Sequence, residues 1–317
     1  MLRVILLAAL IAAVLVLVFA PAAAAECFNQ YECCWSFGST GSGPGQFHGP
    51  RGFRAVLGRE WDDQTYYVVD SGNGRVQVLR YTESDDWVTF ERQIGRWGNG
   101  AGELSNPTGI EVHGSIVHVV DTGNHRIQQF TLNGAYVGQI GHFGRDDGEF
   151  DSPQFAAVID DTLYVTDAGN HRVQKFTLDG AYAGQWGSEG SGPGQFLQPS
   201  GIASYVDLVA VGDPERGIVQ VFTKSGVLTG TLPATAAEGP YTVQGYEQSE
   251  WVYDFLGYEP FNRACEGLVP VRPIEVQVGG MSWYIFTDFG NDRIVFWSFP
   301  EPVEPSTWGS LKTRYRD

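Results

Sequence analysis

Residues 121–141 read DTGNHRIQQFTLNGAYVGQIG, and residues 167–187 read DAGNHRVQKFTLDGAYAGQWG. The step from Asp121 to Asp167 is 46 residues, the length of one four-stranded blade, and self-similarity at that period predicts an all-β propeller. Weaker copies flank this pair: DSGNGRVQVL begins at Asp70, DPERGIVQVF at Asp213 and DFGNDRIVFW at Asp288. From Asp70 through Asp121, Asp167 and Asp213 to Asp288 the steps are 51, 46, 46 and 75 residues, the last too long for one blade and short for two. Within it, EWVYDFL at 250–256 sets Asp254 in an apolar, aromatic run like those around the other aspartates. The chain is therefore read as six blades, one of them degenerate over about 232–272, with a five-bladed ring plus an inserted loop as the alternative.

Each repeat resolves into strands. GIEVHG at 109–114 is a short apolar run, and IVHVVD at 116–121 alternates with the period of two of a half-buried strand. The turn TGNH follows, then RIQQFTL, then Asn133-Gly134, read as a two-residue hairpin signal that recurs as Asp179-Gly180 and Ser225-Gly226. AYVGQIG closes the unit as the outer strand, and a loop of the form GxGxGxFxxP leads into the next repeat. One such sheet cannot cover both of its apolar faces, so neighbouring blades must stack.

The ring also has to close. WSFGSTGSGPGQFHGPRGF at 35–53 matches the end of one repeat and the start of the next, as in QWGSEGSGPGQFLQPSGI at 185–202. Residues 33–37 are thus expected to be the outer strand of a last blade whose other strands come from 273–299, which removes an open edge.

Copies of the form YVxDxGNxRIQxF followed by GxxGxGxGxFxxPxGIA resemble NHL repeats, and over about residues 35–299 the chain resembles secreted or periplasmic NHL-repeat β-propeller proteins. The copy at Asp213 departs from the pattern: Ile218 stands where the motif arginine belongs, and Arg216 where the asparagine belongs.

Arg3 precedes an apolar run from Val4 to Phe19, then Pro21 and a run of alanines, which reads as a secretory signal cleaved after Ala25. The 22 uncharged residues from Val4 to Ala25 also suit an uncleaved anchor with the propeller outside, and both readings stand. The organisation is then a signal segment over 1–25, a propeller over 26–299 and a Pro-rich tail over 300–317. A formal net charge of −17 opposes nucleic acid and anionic membrane as partners. Cys27, Cys33, Cys34 and Cys265 suit disulfides in an exported chain, and a bridge from Cys265 to one of the other three would clamp the ring near its closure.

Because successive strands alternate in direction, the loops FHGP, LSNP, FDSP and FLQP share one face of the ring with the DxGNxR turns. That face carries the candidate ligand-binding residues His48, Asn106, Asp151, Gln198, His125 and His171. Tyr246 and Tyr258 join them from an aromatic-rich stretch, 241–261, suited to a protein or glycan partner. The recurring aspartate has a structural use beside any chemical one, accepting hydrogen bonds from the turn and pairing with the arginine five residues on. No GxSxG, HExxH, CxxC or calcium loop is present, and the sequence specifies no metal or other cofactor. The leading expectation is a non-enzymatic exported scaffold. The alternative is a metal-dependent enzyme resembling the NHL-like propeller lyase that cleaves peptidyl-α-hydroxyglycine, with its site on the same loop face.

Overall fold

The computed structural model describes residues 33–57, 63–82, 87–205, 208–233, 276–278, 281–288 and 293–299. Among these, five four-stranded sheets follow one another, each antiparallel throughout. The first blade runs Pro50–Leu57, Asp63–Asp70, Arg75–Thr82, Trp87–Ile94 from inner to outer strand. The second comprises Ile110–His113, Ile116–Asp121, Arg126–Thr131 and Tyr136–Ile140. Pro153–Ile159, Thr162–Asp167, Arg172–Thr177 and Tyr182–Trp186 make the third. Ile202–Tyr205, Leu208–Asp213, Ile218–Thr223 and Leu228–Pro233 make the fourth.

The closing blade is assembled from both ends of the repeat array. Val276–Val278, Met281–Asp288 and Arg293–Phe299 supply three strands, and Cys33–Phe37 supplies the outer one, with Cys34 opposite Trp297 and Phe37 opposite Ile294. The closure expected from the half-repeats is the one observed. The fold is an all-β propeller of four-stranded blades. Residues 234–275, where the degenerate blade was expected, lie outside the described residues, as do the leader, the tail, Asp254, Cys27 and Cys265.

Burial follows the two-residue period of the strands and lies between blades. Along Asp63–Asp70, Val68 packs with Phe47, Leu79 and Ile294 on one side, whereas Tyr67 and Val69 turn to Val117, Val119 and Phe130 of the second blade on the other. The same division recurs between the second and third blades around Val120, Ile127, Leu163 and Phe176, and between the third and fourth around Tyr164, Val173, Val209 and Phe222. Phe47, Leu104, Phe150 and Phe196, the apolar residue of each GxGxGxFxxP loop, are fully buried plugs. Each contributes on the order of 1.5–3 kcal/mol of burial. Inner strands approach one another through glycine: a Cβ on Gly52 would lie 2.4 Å from the Thr108 carbonyl oxygen of the next blade.

The outer hairpins differ from the two-residue loops expected. Thr131 N–H donates to the Ala135 carbonyl, and Gly134 N–H to the Thr131 carbonyl, so the turn encloses Leu132, Asn133 and Gly134. Only the glycine has positive φ, at 86°, whereas a two-residue type I′ turn needs it at both central positions. Thr177–Ala181 and Thr223–Val227 repeat this arrangement, each with the matching register shift in the third strand. A type I turn completed by a left-handed glycine meets the twist of the strands equally well.

Candidate functional site

The recurring aspartate closes the second strand of each blade, and in the first four it sits in a polar cluster beneath the loop face. Asp121 is fully buried. Its carboxylate accepts bonds from Ser105 N–H at 2.7 Å, Asn124 Nδ2 at 2.9 Å, Arg126 Nε at 2.8 Å and Gln128 Nε2 at 3.1 Å. The donors are then spent on the loop: Arg126 Nη2 reaches the carbonyls of Gly100 and Glu103, Asn124 reaches Gly98, and Gln128 reaches Glu103. Gln128 Oε1 in turn accepts the Gly102 N–H at 2.8 Å. Asp70, Asn73, Arg75 and Gln77 repeat the set in the first blade, and Asp167, Asn170, Arg172 and Gln174 in the third. Burial pushes the Asp167 carboxyl above the usual carboxylate range, against the pull of Asn170, Arg172 and the Asp151 N–H.

In the first four blades the backbone donor on the aspartate comes from the incoming GxGxGxFxxP loop, not from the turn that follows the strand. His48, Ser105, Asp151 and Leu197 occupy the donating position. The cluster therefore ties loop to sheet, and removing one partner of such a buried charge pair costs about 3–5 kcal/mol.

The irregular fourth blade reaches the same carbonyls by another route. With Ile218 in place of the arginine, Arg216 donates to the carbonyls of Gln195 at 2.6 Å, Ser191 at 2.7 Å and Gly192 at 3.3 Å, standing 3.9 Å from Asp213. Gln220 completes the loop contacts through the Gln195 carbonyl and the Gly194 N–H.

The candidate residues on the face above divide by blade boundary. His125 and His171 both take left-handed backbone, with φ of 55° and 56°, at the position filled by Gly74 in the first blade and Gly217 in the fourth. Their rings serve opposite tautomers. His125 Nδ1 accepts the Ser152 N–H at 2.9 Å, placing its proton on Nε2, whereas His171 Nδ1 donates to the Leu197 carbonyl at 2.7 Å. His125 also lies 3.5 Å from Asp151, so these two candidates do meet. His171 meets the loop carrying Gln198, whose N–H donates to Asp213. Asn106 is exposed and left-handed at φ 43°, the position of Gly49, which is a turn's use of asparagine. His48 is exposed and leaves no room for a Cβ on Gly72. Tyr246 and Tyr258 lie outside the described residues.

Among the described residues no group of three or more His, Cys, Asp or Glu is arranged to hold a metal ion, and no helix is long and apolar enough to cross a membrane. Two residues on this face were missed in the sequence. Trp97 and Phe143 are 56% and 64% exposed and occupy the same loop position, two residues beyond the glycine that ends the outer strand. The signal was present: Thr40 and Glu189 hold that position in the other two loops, so an aromatic there is not required by the repeat.

The NHL repeat family matches residues 150–176, the span from Phe150 through the third Asp-Asn-Arg-Gln cluster. No curated protein matches the chain. Among solved structures, a chain of the nidogen/laminin complex is 18% identical with a TM-score of 0.39, covering 53% of this chain and 59% of that one. The chain thus spans 59% of the length of that relative. A streptogramin B lyase is 13% identical with a TM-score of 0.46, covering 86% of this chain and 74% of its own. A putative 6-phosphogluconolactonase from Bacteroides uniformis is 11% identical with a TM-score of 0.44, covering 64% and 67%.

Proposed function

We propose that this protein is an exported, non-enzymatic NHL-repeat propeller whose loop face serves as a scaffold for a protein or glycan partner. The observation that carries the reading is the use made of the recurring polar side chains. In each of the first three blades the aspartate, asparagine, arginine and glutamine are bound to one another and to the backbone of one loop. Such a cluster fixes the shape of the face and leaves recognition to the residues standing on it. The leader supports export, whether cleaved or kept as an anchor, and the net charge of −17 supports a partner other than nucleic acid. Elemental analysis of the full-length protein, purified without chelators, tests the reading against the metal-dependent lyase. The scaffold predicts no stoichiometric metal. One zinc or calcium per chain would favour the enzyme.

A further inference from the structure

Trp97, Phe143 and Glu189 occupy one repeat position at three successive blade boundaries, and all three are exposed. The two aromatic rings are held in place. Trp97 pairs with Leu104 across its loop and lies over Gly74, where an added Cβ would fall 2.8 Å from its Cε3. Phe143 pairs with Phe150 in the same way, its ring centroid 4.8 Å from that of His125 at 67°. Each ring is thus seated on one side by the turn of the preceding blade while more than half of its residue's surface faces solvent. Ordering such rings costs little on binding, because the turn has already fixed them.

The surroundings select the occupant by charge. The two loops add Glu103, Asp146, Asp147, Glu149 and Asp151 to the rings, against Arg96, Arg145 and the titratable His142. Glu103 is held below the ordinary carboxylate range by the Gly100 N–H and then by Arg96, and Glu149 by the Asp146 N–H and then by His142, so both remain ionised. The chain as a whole carries −17, which draws cations and repels anions before contact. Exposed aromatic faces in an acidic field suit guanidinium and ammonium groups. We propose that Trp97, Phe143 and Glu189 form the docking surface for a cationic segment of a protein partner, two basic side chains stacking on the rings and a third pairing with Glu189.

This rests on the scaffold reading and names its partner's chemistry. The test is fluorescence anisotropy on the full chain with a labelled twelve-residue peptide of alternating arginine and glycine, its glutamate counterpart, and an uncharged oligosaccharide. The arginine peptide is expected to bind, more weakly as salt rises, and the glutamate peptide not to bind. Trp97→Ala with Phe143→Ala should weaken binding about tenfold, from the loss of two cation–π contacts. Trp97→Tyr with Phe143→Tyr should retain most of it, Glu189→Gln should weaken it modestly, and Val137→Ala on an outer strand should leave it unchanged. Arginine-peptide binding that is absent, or equal in the parent and the double alanine variant, overturns the inference. So does salt-insensitive capture of the oligosaccharide through the same two rings. None of these results contradicts the scaffold, which stoichiometric metal would.

Discussion

His118 shows how a single side chain in this fold carries a pH signature without being a site. It stands on the second strand of the second blade, 1% exposed, with Gln129 Nε2 at 3.5 Å from its Nδ1. Burial, reinforced by the charge of His113, lowers its pKa from 6.5 to about 4. The folded state therefore binds fewer protons than the unfolded chain between about pH 6.5 and 4. Stability from the neutral ring is complete above the upper value and is lost as pH falls through that window. The difference amounts to roughly 3 kcal/mol. Replacing His118→Leu should accordingly flatten the acid limb of the stability profile relative to the parent, measured by urea unfolding at a series of pH values. Identical acid limbs would show that the ring is not held neutral. At this scale the sequence was legible where a residue repeats and silent where it compensates. Asp121 with Arg126 and Asp167 with Arg172 were readable as pairs from their spacing. Arg216 was readable only as an anomaly, because its recovery of the Gln195 and Ser191 carbonyls depends on side-chain reach and not on spacing.

At the scale of the blade, the joints between neighbours depend on short polar contacts as well as apolar packing. The residue after the recurring aspartate crosses to the next blade: Ser71 Oγ donates to the Pro107 carbonyl at 2.5 Å, and Thr122 Oγ1 to the Pro153 carbonyl at 2.7 Å. The third blade has Ala168 in this position, buried and without a hydroxyl. Ala168→Ser should recover the contact to the Pro199 carbonyl, which the repeat places opposite it, and stabilise the protein by about 1 kcal/mol. Denaturant unfolding that finds the variant no more stable than the parent would refute this equivalence of joints. The strands themselves were legible from alternation and from the 46-residue step. Their hairpins were less so, because asparagine-glycine serves a two-residue turn and a three-residue turn alike, and only the φ of Asn133 distinguishes them. Trp97 and Phe143 went unread for a related reason: aromatic residues are so frequent in the strands that two more in the loops do not stand out without their exposure.

For the molecule as a whole, the decisive feature is that both ends of the repeat array share one blade. Cys33–Phe37 covers the edge of Arg293–Phe299 that would otherwise offer unpaired N–H and C=O groups, and Phe37 packs against the cluster of Phe47, Phe53 and Ile294 that joins the closing blade to the first. The same closure positions the first GxGxGxFxxP loop, which follows directly from this strand, and with it the start of the loop face on which recognition is proposed. This closure was readable from two complementary half-repeats, and the repeat position shared by Trp97, Phe143 and Glu189 was readable too, whereas their exposure on the loop face was not. The measurement that tests the account most directly is equilibrium unfolding of a variant lacking residues 26–40 beside the parent. Loss of the outer strand's pairing, and of Phe37 from the cluster it packs on, should lower stability by several kcal/mol. A truncated protein that unfolds at the same denaturant concentration as the parent would contradict a ring closed by its N-terminal strand.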